Sequence, residues 1–174
     1  MSPELTWVTC TTVVRGPSTE ADLADGIGPA RALADAGCPL SLGSDSHAVV
    51  DLLAEARLVE MGERLAGGRR GSFRAEELAT AETVAGHACL GWPEAGEIAP
   101  GALADLVTVA LDTPRLAGVQ AGTALESVIF AGSAADVRNV VIGGRDVVAG
   151  GRHLLVDDVP AALDAAIAPL LSPA

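Results

Sequence analysis

The order of runs and breakers in the N-terminal part of the chain most constrains its fold. Leu5 to Val14 is rich in Thr and Val and reads as a strand, and Arg15-Gly16-Pro17 breaks it. Ser18 and Thr19 follow as a polar loop, and Asp25, Gly26, Gly28 and Pro29 make a second turn. Ala30 to Ala36 has helical composition, with Gly37 where a helix would end. Pro39-Leu40-Ser41-Leu42-Gly43 is then a short apolar run opening onto the polar Ser44-Asp45-Ser46-His47. A buried strand leading into a polar loop fits this last segment, so strand, loop, helix, strand and loop succeed one another as in a β/α unit.

Downstream, Leu52, Leu53, Ala56, Val59 and Leu65 recur at helical spacing, with Glu55, Arg57, Glu60 and Glu63 available for the wet face. Gly67, Gly68 and Gly71 end this helix. Ser72 to Glu77 resembles a helix start with early acidic residues, and a helical region continues to about Leu90. The texture changes at Gly91. Leu106 to Leu111 is a β-type run, and Ala124 to Phe130 suits a strand or a short helix. Val137 to Ile142, the Gly143-Gly144 pair and Arg145 to Val148 form a hairpin signal, and Val159 to Leu171 reads as an Ala-rich helix. Two units are expected: a β/α part over 1–90 and a mainly β part over 91–174.

Composition narrows the candidate partners. With 49% hydrophobic residues among 174, the chain has ample material for a core, but two Trp, two Phe and no Tyr leave it to aliphatic side chains. Aromatics line many ligand pockets, so their scarcity suggests that part of a site lies elsewhere. A formal charge of -12 repels phosphate backbones and anionic lipid, which argues against nucleic acid and membrane surfaces. The adjacent Arg69 and Arg70 suit a solvated turn better than a binding patch. Cys10, Cys38 and Cys89 are far apart and give no readable disulfide framework or Cys-x-x-Cys knuckle, so a reducing cytoplasm is the simplest expectation. Neither a secretory leader nor a membrane span is expected.

Asp45 carries the clearest chemical signal. A carboxylate at the end of a buried strand in a β/α unit sits where such folds collect ligands, and there it can bind a divalent metal or take a proton from water. Position alone equally allows a helix cap or a loop hydrogen bond.

The tract from Thr19-Glu20-Ala21-Asp22-Leu23 through Ile27, then Leu42-Gly43-Ser44-Asp45-Ser46-His47, Glu55-Ala56-Arg57 and Glu63-Arg64-Leu65, resembles the late barrel region of formimidoylglutamate deiminases of the amidohydrolase superfamily. Thr83 to Gly91 and Gly96 to Val107 look like that superfamily's return from barrel to accessory β domain. The resemblance covers most of the chain and implies an α/β fold, the C-terminal arc of a TIM-type (β/α) barrel followed by a small mainly β accessory domain. It also implies hydrolysis of N-formimidoyl-L-glutamate to N-formyl-L-glutamate and ammonia in histidine breakdown, with a deaminase of cyclic amidines as the rival. Asp45 would be the strand-eight metal ligand and general base, while Ser46, His47 and Thr19 would be the candidate contacts to a small-molecule substrate, with a loop-stabilising hydrogen bond equally open to His47 and loop capping the alternative for Thr19. The implied cofactor is a divalent metal, with zinc suiting the family, and the implied assembly is a homodimer.

The departures are equally specific. The family's His-x-His pair, its further His ligands and its acid/base Glu have no counterpart here. His47, His87 and His153 are not spaced to replace them. A structural role is expected for His87, and solvent exposure for His153. Residues 1 to 16 match the family's strand seven poorly, which suggests a truncated or altered start. A full barrel needs roughly 250 residues, so a non-catalytic remnant, or a piece that complements a separate N-terminal half, is the expectation of a different class. Alone, such an arc would expose strand edges and tend to aggregate.

Overall fold

The computed structural model describes residues 12–171. Of the expected strand from Leu5 to Val14, residues 5–11 lie outside the described residues. What is described is β1 (Val13–Arg15), which runs parallel to β2 (Leu40–Leu42) with Val13 opposite Leu40 and Arg15 opposite Leu42. Between them lie α1 (Pro17–Asp22) and α2 (Ala30–Asp35). The first of these helices replaces the expected loop at Ser18 and Thr19. Proline's fixed φ and missing N–H suit the first helical position, so Pro17 ends the strand and starts a helix in one step.

After β2 comes α3 (Leu52–Gly67), capped at its N-terminus by the Asp51 carboxylate, which accepts from the Ala54 N–H at 3.1 Å, and closed by Gly68. Its buried face is Glu55, Ala56, Val59 and Glu60, while Leu52, Met61 and Leu65 are exposed. The assignment of Glu55 and Glu60 to the wet face is therefore corrected: each is buried because it accepts backbone N–H groups from another segment. The following helical region is two helices, α4 (Ala75–Glu82) and α5 (Val84–Cys89), broken at Thr83.

The segment after Gly91 contributes β3 (Leu106–Val109), α6 (Ala124–Ala131), β4 (Val137–Ile142), β5 (Arg145–Ala149), β6 (Arg152–His153) and α7 (Val159–Leu171). The four strands form an antiparallel sheet in chain order. Gly143 and Gly144 join β4 to β5 with φ of 55° and 75°, the doubly positive geometry that a two-residue hairpin turn requires.

One hydrophobic cluster holds the arc together. Ala30, Leu42, Ala56, Val59, Phe73, Leu78 and Ala81 pack with Ile129 of α6, so a helix from beyond Gly91 completes a core begun before it. That packing also decides the ambiguous Ala124 to Phe130 segment in favour of helix. Phe73 is the aromatic side chain of the buried cluster, and the rest is aliphatic. Cys38 is buried and disulfide-bonded, a pairing that the cysteine spacing did not make readable, because it follows which thiols the fold brings together rather than their spacing in sequence. Cys89 is a free, exposed thiol. Among the described residues no helix is long and apolar enough to cross a membrane.

Candidate functional site

Because β1 and β2 are parallel, the loops leaving their C-terminal ends lie side by side. The first is Gly16 and the opening turn of α1, and the second is Gly43 to His47. Asp45 stands three residues past the end of β2, exposed, with a positive φ of 51° and no hydrogen bond or ion pair among the described residues. Its carboxylate is thus available to a ligand. Ser46 beside it is exposed. His47 is half-buried: its own N–H donates to the Ser44 carbonyl at 3.0 Å, and its Nδ1 lies 3.1 Å from the Val49 nitrogen and 3.2 Å from the Val49 carbonyl oxygen, which ties the ring to its own loop.

Thr19 is 3% exposed, and its hydroxyl donates to the Ser44 carbonyl at 2.7 Å. A buried hydroxyl already donated to backbone is placed to anchor a loop rather than to meet substrate. Ser18 donates from both its N–H, at 3.0 Å, and its hydroxyl to the carboxylate of Glu55, which is 1% exposed. On the other side of the same turn, Arg15 forms an ion pair with Glu20. Beside this mouth is a cleft of about 490 Å³ whose lining includes Ser18, Asp22, His47, Asp51 and Glu55, but Asp45 does not line it.

His87 hydrogen-bonds at Nδ1 to the Thr83 carbonyl at 2.8 Å, and His153 accepts at Nδ1 from the Leu155 and Val156 N–H groups. His153, read from sequence as solvent-facing, is half-buried, because β6 pairs with β5 and turns the ring back on its own loop. Among the described residues no three His, Cys, Asp or Glu side chains come together to hold a metal ion. These residues therefore do not fit a metal by themselves.

Besides Glu55, sequence reasoning missed three carboxylates that are wholly or partly buried. Glu60 is 0% exposed; burial pushes its carboxyl up, but hydrogen bonds from Arg64, Phe73 and Gly71 outweigh this and hold it below its ordinary value. For Asp136 the Arg115 guanidinium, at 3.0 and 3.1 Å, outweighs burial and holds the carboxyl far below the carboxylate range. Glu82 is different: burial and the neighbouring Asp51 push it up to about 8, and its Oε1 is buried without a hydrogen-bond partner. The signal available in sequence was the i, i+4 spacing of Glu60 and Arg64, which more often marks a surface pair.

A β/α arc with a carboxylate at a strand end, followed by an antiparallel sheet, defines the class of protein. The amidohydrolase family model matches residues 5–147, and the chain belongs to that family. It is 37% identical over 143 residues to a formimidoylglutamate deiminase of Pseudomonas aeruginosa, covering 78% of this chain and 31% of that protein. To a 5-methylthioadenosine/S-adenosylhomocysteine deaminase of Natronomonas pharaonis it is 32% identical over 139 residues, covering 78% and 32%. The crystal structure of a zinc-bound adenosine deaminase from Xanthomonas campestris superposes with a TM-score of 0.81 at 27% identity, over 91% of this chain and 36% of that one. The fold is therefore the α/β arc of an amidohydrolase barrel with its trailing sheet, and the chain spans about a third of the length of these relatives.

Proposed function

We propose that this chain is the C-terminal part of a formimidoylglutamate deiminase-like hydrolase, which converts N-formimidoyl-L-glutamate and water to N-formyl-L-glutamate and ammonia. The observation that carries the reading is the unengaged Asp45 carboxylate at the end of β2, within Ser44-Asp45-Ser46-His47 and beside the α1 tract through which the chain resembles that enzyme. A free carboxylate in this position can accept a proton from the attacking water and pass it to the departing nitrogen. Ser46 and the His47 ring are the nearby polar groups suited to an anionic or carbonyl group on the substrate.

In this reading Asp45 is one ligand of a divalent metal, with zinc the favoured ion, and the remaining ligands come from barrel strands that precede these residues in the relatives. The partner of the chain is accordingly the rest of the barrel, whether joined to it or separate, and the chain alone is inactive. Homodimerisation is proposed only on the family resemblance.

The test is ammonia release from N-formimidoyl-L-glutamate by the chain assembled with a polypeptide supplying the preceding strands. Asp45→Asn is expected to lower the rate by at least about a hundredfold. An unimpaired variant would remove Asp45 from the chemistry. A second reading, deamination of a cyclic amidine, is favoured by the 32% identity to the 5-methylthioadenosine/S-adenosylhomocysteine deaminase. Faster turnover of S-adenosylhomocysteine than of the formimidoyl compound would select it.

A further inference from the structure

Asp45 sits in a backbone conformation that few residues other than glycine adopt. A φ of 51° lies in the left-handed region, which Asp tolerates better than most residues. Gly16 backs directly onto Asp45: a Cβ at that position would lie 3.1 Å from the Asp45 Cβ and 3.1 Å from the Gly43 carbonyl oxygen, so the two loops pack with no room for a side chain between them.

The Ser44 carbonyl accepts twice, from the Thr19 hydroxyl at 2.7 Å and from the His47 N–H at 3.0 Å. One bond closes the turn that carries Asp45, and the other ties that turn to α1. Threonine in a first helical turn usually bonds locally, but this hydroxyl reaches 25 residues along the chain. The next residue back, Ser18, gives both its N–H and its hydroxyl to Glu55 of α3, 37 residues away. A carboxylate that is 1% exposed is expensive to bury, and these two bonds compensate for it.

We infer that the first turn of α1 is a clamp that sets the position of Asp45, with Thr19 and Glu55 as its positioning residues. The line of force runs from α3 through Glu55 to Ser18 and Thr19, and from Thr19 through the Ser44 carbonyl to Asp45. The inference rests on the proposed role of Asp45, but the clamp itself is measurable without turnover.

The experiment is residue-resolved amide hydrogen exchange on the 174-residue chain. The His47 N–H reports on the turn because it shares its acceptor with Thr19. Thr19→Val keeps the shape and removes the hydroxyl; exchange at His47 is expected to quicken by about fivefold to tenfold, the loss of one net hydrogen bond, while α4 amides stay unchanged. Thr19→Ser, which restores the hydroxyl, is expected to return it to within about twofold. Unchanged exchange in Thr19→Val, or an equal rise in every helix, overturns the clamp. Should Thr19→Val not fold, Ser18→Ala reads the same line through Glu55, and an unaltered His47 rate there also overturns it. Rigid exchange together with Asp45-dependent ammonia release would refute the clamp alone. A working clamp without activity in the assembled barrel would refute the functional reading instead.

Discussion

On α3, two glutamates are 1% and 0% exposed, Glu55 accepting the N–H and hydroxyl of Ser18 and Glu60 the N–H groups of Gly71 and Phe73, whereas on α7 no residue is buried and Leu163, Ile167, Leu170 and Leu171 are all exposed. The arc thus hides charge, and the far end of the chain displays apolar side chains. This inverts what composition leads one to expect of each helix. The contrast teaches that burial follows the availability of partners rather than residue type. Glu60 is buried because Gly71, Phe73 and Arg64 meet it there, whereas no residue of α7 is buried.

The contrast can be tested by removing what each region relies on. Glu60→Ala should cost most, about 4 kcal/mol in denaturant unfolding, since it strands the Gly71 and Phe73 N–H groups and leaves Arg64 without its carboxylate. If the loss were under about 1 kcal/mol, the buried-carboxylate side of the comparison would fail. Ile129→Ala, at 1% exposure in the shared cluster, should cost about 3 kcal/mol by the same measurement, a value that depends on α6 being part of the arc's core.

Glu82 sharpens the comparison from the other side, as a half-buried carboxylate whose Oε1 is buried without the partners that Glu60 has. Its folded value of about 8 lies above the ordinary 4.5, so the folded state favours the protonated form. Ionisation therefore destabilises the fold progressively as pH rises from 4.5 toward 8, and the penalty levels off above that. Glu82→Gln should match the parent near pH 4 and exceed it by on the order of 2 kcal/mol near pH 9. Parallel stability curves for the two proteins would refute this. Leu170→Ser, at 82% exposure, should change stability by less than about 0.5 kcal/mol. A larger loss would mean that α7 is covered in solution.

Much of the local structure was legible in the residues. The hairpin from Val137 to Val148 follows from two strand-type runs around Gly143-Gly144, and the helix from Leu52 follows from apolar spacing between Asp51 and Gly68. The strand-end location of Asp45 was legible too, because a short apolar run closed by Gly43 leaves few other places for it. Less legible was the neighbourhood of the site. From sequence Thr19 suits either a substrate contact or loop capping; its hydroxyl is donated to the Ser44 carbonyl, and the expected loop around it is a helix begun by Pro17.

The sequence by itself determined the elements whose causes lie within a few residues: turns, caps, apolar periodicity and the signature around Asp45. Only the tertiary structure decided which carboxylates are buried, that α6 joins the arc's core, and that α1 holds the Asp45 turn. Each of these depends on a donor or an apolar face brought from far along the chain, as Glu55 meets Ser18 across 37 residues and Arg57 reaches the Ile129 carbonyl across 72. Hydrogen bonds and packing act over a few ångströms of space, so a residue's partner is set by the path of the backbone rather than by its neighbours in sequence.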